Sequence, residues 1–416
     1  MKFIDLFSGL GCFHISLSSQ GHECVYACEI NSELNKLYED NYGIKPDYDI
    51  TKVNVNSIPD HDVLCAGFPC QPFSKAGRQL GIQDDRGNLI NVVIEILKIK
   101  KPKYFILENV RNLEKHNFGL TWIYIKDELE KLGYSVDKKI LSPHQIGIPQ
   151  HRERIFIVGS LHGLNHFEWF NIQEVQKECN GISKILPQNF NKLETEKIRV
   201  LNVWQKFLDC LPNETKPYSP LWTMEFGANY PIENFDLKTI PIEELKKYKG
   251  SFGQKLTGNT TAEIIQKLPN YIKKQKGQIP KWKQNYIKNN RQFYLSHKLA
   301  IDKILPEIIS LNNESWQKFE WNCGFENKNL WDYFIQFRGS GIRIKRKDYF
   351  PSLVTVSTQI PIIASEKRYL SIEEAKFLQS IPEYIELPKT NAAAFKALGN
   401  AINVSLIYYV SKYLLN

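Results

Sequence analysis

The first 159 residues alternate short apolar runs with longer amphipathic segments, and this alternation restricts the fold more than any single residue does. The runs Lys2–Leu6, Glu23–Cys28, Asp62–Ala66, Tyr104–Leu107, Val136–Leu141 and Arg154–Val158 have the length and composition of strands. Between them, Gly87–Lys100 and Thr121–Leu132 have helical spacing, with Leu89, Val92, Val93, Ile96 and Leu97 on one face of the former. Strand and helix in repetition predict an α/β domain with a parallel-rich sheet covered on both faces. Ligands of such sheets gather beyond the carboxyl ends of the strands, so the residues just after each run are the informative ones.

After Gly159 the alternation gives way to Asn-, Lys-, Trp- and Pro-rich text as far as about Phe337, read as a second, irregular domain. Regularity returns at Phe350–Thr358, and a helix-like segment from about Asn391 to Leu415 closes the chain. No run approaches the roughly 18 apolar residues of a membrane span, and Asp5 interrupts the N-terminal run at once. Neither a transmembrane protein nor a signal peptide is therefore expected. Cys24/Cys28 and Cys65/Cys70 lack Cys-x-x-Cys spacing, so no metal site is expected and the compartment is read as reducing and cytoplasmic.

The strand Lys2–Leu6 runs into Phe7-Ser8-Gly9-Leu10-Gly11, a glycine turn that lets a backbone approach a ligand closely. It lacks the third glycine of the dinucleotide fingerprint. The next strand ends at Glu29, placed to accept hydrogen bonds from ribose hydroxyls or, alternatively, to open the following helix. Asp49-Ile50 offers a polar contact and an apolar wall for an adenine. Further on, Gly67-Phe68-Pro69-Cys70-Gln71-Pro72-Phe73-Ser74 holds Cys70 between two prolines on a stiff loop past a strand, where a thiolate has access to a substrate. Glu108 follows the strand Tyr104–Leu107 on the same rim, where burial would let it hold a proton near neutral pH. In Gln150-His151-Arg152-Glu153-Arg154, alternate residues face one way, so Gln150, Arg152 and Arg154 share a side.

Together and in order, Asp5–Gly11, Gly67–Ser74, Asp85-Arg86-Gly87-Asn88-Leu89, Glu108-Asn109-Val110, Gln150–Arg154 and Gly399-Asn400-Ala401 resemble the bacterial DNA cytosine-5 methyltransferases. The resemblance covers Met1–Gly159 and Phe337–Asn416. It implies a Rossmann-like S-adenosylmethionine-dependent methyltransferase domain at 1–175 and 392–416, and a smaller irregular target-recognition domain at 176–391. It implies Cys70 as the nucleophile adding to C6 of cytosine, Glu108 at N3 and the amine, Arg154 at O2, and Arg152 in support. Around the cofactor, S-adenosylmethionine, it implies Phe7, Gly9, Gly11, Glu29, Ile30, Asp49, Ile50, Leu89, Asn400 and Ala401. Two positions depart from the family pattern: Ile30 stands where many relatives have an aromatic ring, and Asn403 where Pro or Val is frequent.

The expected partner is double-stranded DNA, with the target base flipped into the pocket and the Cys70–Gly81 segment, carrying Lys75 and Arg78, closing over it. The expected setting is a restriction-modification system, with a cognate endonuclease linked in function and the methyltransferase itself a monomer. A tRNA methyltransferase on the same scaffold, a catalytically silent DNA-binding regulator and, more distantly, a nicotinamide dehydrogenase are the competing readings. The net charge of +9 divides unevenly, with −1 over Met1–Ser160, +5 over Leu161–Phe337 and +5 over Arg338–Asn416. Ile264–Ile301 holds nine Lys/Arg and no acid, interleaved with Tyr271, Trp282, Tyr286, Phe293 and Tyr294, and Arg338, Arg343, Lys345, Arg346 and Lys347 form a second acid-free cluster. Both are read as DNA-phosphate contacts, with a solvated lysine-rich face as the alternative for the first.

Overall fold

Each of the six apolar runs is a strand in the computed structural model of the chain, which describes residues 1–69, 88–179, 190–233, 240–275, 277–324 and 327–415. Strand β1 (Lys2–Leu6) leads through the glycine turn to helix α1 (Cys12–Ser18), then β2 (Glu23–Cys28), α2 (Ser32–Tyr42) and β3 (Val63–Gly67). Next come α3 (Asn88–Lys100), β4 (Tyr104–Val110), α4 (Leu120–Lys131), β5 (Ser135–Leu141), the two-residue β6 (Gln150–His151), β7 (Arg154–Ser160) and α5 (Ile172–Cys179). The sheet order is β2-β1-β3-β4-β7-β5. Strands β1 to β4 run parallel, so their carboxyl ends form one rim. β7 is antiparallel to both its neighbours, because a short connection returns it directly from β5 with no crossover helix.

Side-chain alternation assigns the two faces. Ile4 and Leu6 of β1, with Leu64, Phe105, Leu107, Ile155 and Ile157, meet Val93, Ile96 and Leu97 of α3 and Ile125 and Leu129 of α4. Phe3 and Asp5 point the other way, towards His14 of α1 and Tyr38 of α2. Burying one such apolar side chain is worth about 1.5–3 kcal/mol, so a strand of five residues with four buried is fixed in register by its own pattern.

The chain then builds a second unit, residues 191–348 and 358–369. It contains α6 (Thr195–Cys210), β8 (Leu221–Trp222), the short helices α7 (Ile242–Leu245), α8 (Thr261–Ile265) and α9 (Asn270–Lys273), α10 (Lys281–Ser296) and α11 (Lys298–Ile309). The strands β9 (Lys318–Asn322), β10 (Phe334–Arg338) and β11 (Gly341–Lys345) follow. After β12 (Phe350–Pro351), which belongs to the first unit, come β13 (Ile362–Ile363) and β14 (Arg368–Tyr369). The region read as irregular therefore has a sheet of its own, ordered β14-β13-β10-β11-β9-β8. Trp204 of α6 stacks on Phe319 of β9 with ring centroids 4.4 Å apart at the centre of its core.

The remainder, α12 (Ile372–Leu378), α13 (Asn391–Asn400) and α14 (Val404–Leu415), groups with residues 1–190 and 349–357 as the first unit. Two expectations are corrected here. The regularity expected over Phe350–Thr358 is confined to Phe350 and Pro351, which pair with Gln150 and His151. The closing segment is two helices, because residues 401–403 leave the helical path and Asn403 starts α14 by accepting from Leu406 N at 3.0 Å. The Asn403 amide also donates to Leu378 O at 3.0 Å. An Asn can do both where the family's frequent Pro or Val can do neither.

Candidate active site

The turns after β1 and β2 interlock. Phe7, Gly9 and Gly11 all have positive φ, at 57°, 54° and 73°. For the two glycines this conformation is free of side-chain strain. A β-carbon on Gly9 would find no atom nearer than Phe7 O at 4.0 Å, so its face is an open cradle. Gly11 is the opposite case: a β-carbon there would lie 2.5 Å from the Tyr42 ring of α2. The Tyr42 hydroxyl donates to Leu10 O at 2.7 Å and fixes the turn from below. Helix α1 has no capping side chain at Gly11. The buried Asp5 carboxylate of β1 accepts from the Tyr38 hydroxyl of α2. Burial pushes its pKa well up.

Glu29 lies at the crossing of the two turns. One carboxylate oxygen accepts from Gly9 N at 2.8 Å and the other from Asn31 N at 2.8 Å. Burial pushes its pKa up and these two N–H groups oppose that. A carboxylate has about four lone-pair sites, so both oxygens keep capacity for ribose hydroxyls. Helix α2 is capped separately, by the Asn31 side chain accepting from Leu34 N at 3.0 Å. Ile30 is 70% exposed, an apolar side chain on the surface beside Glu29. Asp49 accepts from Thr51 N and Oγ1, and the Thr51 hydroxyl holds its carboxyl below the usual range. Ile50 is buried in the core, Leu89 is half-buried at the start of α3, Asn400 is exposed at the end of α13 and Ala401 is buried. The open face of Gly9, the spare acceptors of Glu29 and the exposed Ile30 fit an adenosyl group.

Cys70 and the segment to Gly87, with Lys75 and Arg78, lie outside the described residues. Their anchor is visible: the Asn109 amide donates to Phe68 O at 3.1 Å, tying the approach to Cys70 to the end of β4. Gly67 pairs in register with Glu108, and a side chain there would meet Ile402 Cδ1 at 3.0 Å and Glu108 Oε2 at 3.8 Å. Glu108 lies within β4 rather than after it. It is 7% exposed and faces Arg154 Nε at 3.0 Å. Burial raises its pKa, while Arg154 first and Arg152 second pull it back.

The arginines of 150–154 do different jobs. Gln150 and Arg152 are buried, and Arg154 is half-buried against Glu108. The Arg152 guanidinium donates to Leu353 O at 3.0 Å, Gly399 O at 2.7 Å, Ala401 O at 2.9 Å and Ser352 Oγ at 3.1 Å. It ties its own strand end to two remote segments, 352–353 and 399–401, the second carrying Asn400 and Ala401. Tyr42 gives no signal in the sequence, where Asp5 figures as a motif letter and a break in the N-terminal apolar run and Asn109 as a motif letter alone. Tyr38 and Tyr42 at i, i+4 share a helix face, but nothing local shows that this face meets Gly11.

The described part of the basic tract is less cationic in space than in sequence. Arg291 pairs with buried Glu225 at 2.9 Å, Lys288 pairs with Glu233 and Lys298 with Asp302. All three acids lie outside the tract. Tyr294 is core, stacked on Phe226 at 5.2 Å, whereas Trp282 is 57% exposed. Arg343 of the second cluster is likewise paired, with Glu320 at 2.6 Å. Among the described residues no helix is long and apolar enough to cross a membrane.

The family model for C-5 cytosine-specific DNA methylases matches residues 1–416. The type II methyltransferase M.HhaI of Haemophilus parahaemolyticus is 47% identical over 165 residues, 40% of this chain and 50% of that protein. M.NgoBI of Neisseria gonorrhoeae is 48% identical over 228 residues, 55% of this chain and 70% of that protein. M.AluI of Cellulosimicrobium cellulans is 28% identical over 481 aligned positions, 98% of this chain and 91% of that protein. The chain thus spans half the length of the first and most of the third.

Proposed function

We propose, for a chain that belongs to the C-5 cytosine-specific DNA methylase family, that it methylates C5 of a flipped cytosine in a specific duplex sequence. The observation that carries this reading is the buried Glu108–Arg154 pair at 3.0 Å on the rim where Asn109 anchors the segment leading to Cys70.

In this reading Cys70 is the nucleophile. Its thiolate adds to C6, which makes C5 electron-rich. Glu108 holds a proton towards the ring N3 and accepts from the exocyclic amine, drawing electron density from the ring as the thiolate adds. Arg154 serves the ring O2 as a fixed cation and sets how firmly Glu108 keeps its proton. S-adenosylmethionine, the methyl donor of this family, supplies the methyl group on a positively charged sulfur. After transfer, C5 loses its proton and the thiolate leaves C6, restoring the aromatic ring. Phe7, Gly9 and Gly11 shape the cofactor cradle, Glu29 takes the ribose hydroxyls, and Ile30, Asp49, Ile50 and Leu89 flank the adenine. Asn400 and Ala401 complete the site in the place that Arg152 gives them, which makes Arg152 a positioning residue. The target-recognition domain, expected over 176–391, is read as centred on the second unit, 191–348 and 358–369.

The relatives named above are type II methyltransferases, and this chain is read as the modification partner of a restriction endonuclease, acting as a monomer on cytoplasmic DNA. Methyl transfer from labelled S-adenosylmethionine to duplex DNA and to tRNA tests the substrate. Label is expected in DNA as 5-methylcytosine and lost in Glu108→Gln by about 10²-fold or more; label in tRNA alone would replace this reading with the tRNA one.

A further inference from the structure

The second unit contains a cavity of about 570 Å³ that the reaction above does not use. Its wall includes Tyr218, Phe293 of α10 and the buried Trp321 of β9, with Asn322, Lys216 and Arg346 around them, and among the described residues it includes no carboxylate. The aromatic wall is held in place. Tyr218 and Phe293 stand with ring centroids 6.3 Å apart at 34°, and the Tyr218 hydroxyl accepts from Asn289 Nδ2 at 3.0 Å. Trp321 donates from Nε1 to Gly324 O at 2.7 Å and packs edge-on to Tyr333. Lys216, Asn322 and Arg346 are exposed. Among the described residues neither Lys216 nor Arg346 is in an ion pair, unlike Arg343, Lys288 and Lys298. Burial pushes the Cys323 thiol in this wall up to about 12, with Arg346 and Lys345 opposing it and Asp348 adding to it.

Flat rigid rings beside unpaired cations, in a space of a small-ligand site's size, suit one class of ligand: a planar base carrying a phosphate. We propose that this cavity takes up one unstacked nucleotide of the bound DNA, with its base against the partly buried rings of Tyr218 and Phe293, backed by the buried Trp321, and its phosphate between Lys216 and Arg346. The inference rests on the DNA substrate proposed above and adds a point of recognition away from the target cytosine. Taking up a base there favours sequences that unstack easily, so it contributes to site choice through deformability and not only through base edges.

The test uses the full-length protein and random-sequence duplexes containing 5-iododeoxyuridine, irradiated with long-wavelength ultraviolet light, with adducts mapped by peptide mass spectrometry. Methyl transfer is measured on the same DNA. Adducts on Tyr218 or Phe293 are expected, and they should fall roughly five-fold or more, relative to adducts elsewhere on the chain, in Lys216→Ala/Arg346→Ala. Adducts elsewhere on the chain but none on these rings would overturn the proposal, as would ring adducts unchanged in the double variant. Absence of both methyl transfer and any adduct would show instead that the DNA reading itself has failed, and this proposal with it.

Discussion

Tyr42 supports the cofactor turn with two separable contacts, a ring under Gly11 and a hydroxyl on Leu10 O at 2.7 Å. Tyr42→Phe removes the second alone. A single hydrogen bond of this kind is worth about 1 kcal/mol, so calorimetry should show S-adenosylmethionine binding weakened about five-fold with little change in melting temperature. Gly11→Ala violates both the 73° φ and the ring contact, and cofactor binding should be lost. At Glu108 the sign of the pH effect follows from its causes. Burial raises its pKa and Arg154 is the largest opposing influence, so Arg154→Ala must let it rise further. In single-turnover methyl transfer, the loss of rate with rising pH should move to higher pH in Arg154→Ala and disappear in Glu108→Gln. A limb that moves to lower pH in Arg154→Ala would contradict the assigned causes.

Two remote segments of the first unit, 352–353 and 399–401, converge on one guanidinium. Arg152→Ala leaves the carbonyls of Leu353, Gly399 and Ala401 without this donor. Charge-assisted hydrogen bonds are worth about 1.5–3 kcal/mol each, and their sum is not additive, so a loss of about 3–5 kcal/mol in urea denaturation is expected. Hydrogen exchange should rise first in residues 399–403. The N-terminal strands were readable because each is long enough to show its alternation, although β3 is offset by one residue and β4 extends to Val110, taking Glu108 into the strand. The direction of β7 was not readable, since side-chain period marks a strand but not which way it runs. The second sheet was missed for a related reason. β8, β13 and β14 have two residues each, and β11 pairs in parallel with β9 but antiparallel with β10, a pattern that exists only after distant segments meet. The motif residues Glu29, Glu108, Arg152 and Arg154 were legible as types at strand ends. That Arg152 is a cross-link and Arg154 the partner of Glu108 required the fold.

Over the whole chain the +9 charge lies outside residues 1–160, and the structure divides it further. Lys288, Arg291 and Lys298 are neutralised by Glu233, Glu225 and Asp302, which leaves Lys267, Lys273, Lys274, Lys281 and Lys283 of the described residues, with Lys276 outside them, as candidates for phosphate contact. Changing Lys273, Lys274, Lys276 and Lys281 together to Gln should flatten the dependence of DNA affinity on salt by up to about 0.9 for each phosphate they neutralise. Lys288→Gln/Lys298→Gln should leave the slope as it is, and a slope unchanged in the fourfold variant would move the DNA path elsewhere. All of these depend on one chemical claim, that Cys70 bonds to C6 of cytosine in duplex DNA. Incubation with S-adenosylmethionine and duplex DNA carrying 5-fluorocytosine in place of cytosine stops the reaction before C5 can lose its substituent. The account predicts a denaturation-resistant one-to-one adduct mapping to the Cys70 peptide and absent in Cys70→Ser. No adduct, or one that persists in Cys70→Ser, would contradict it.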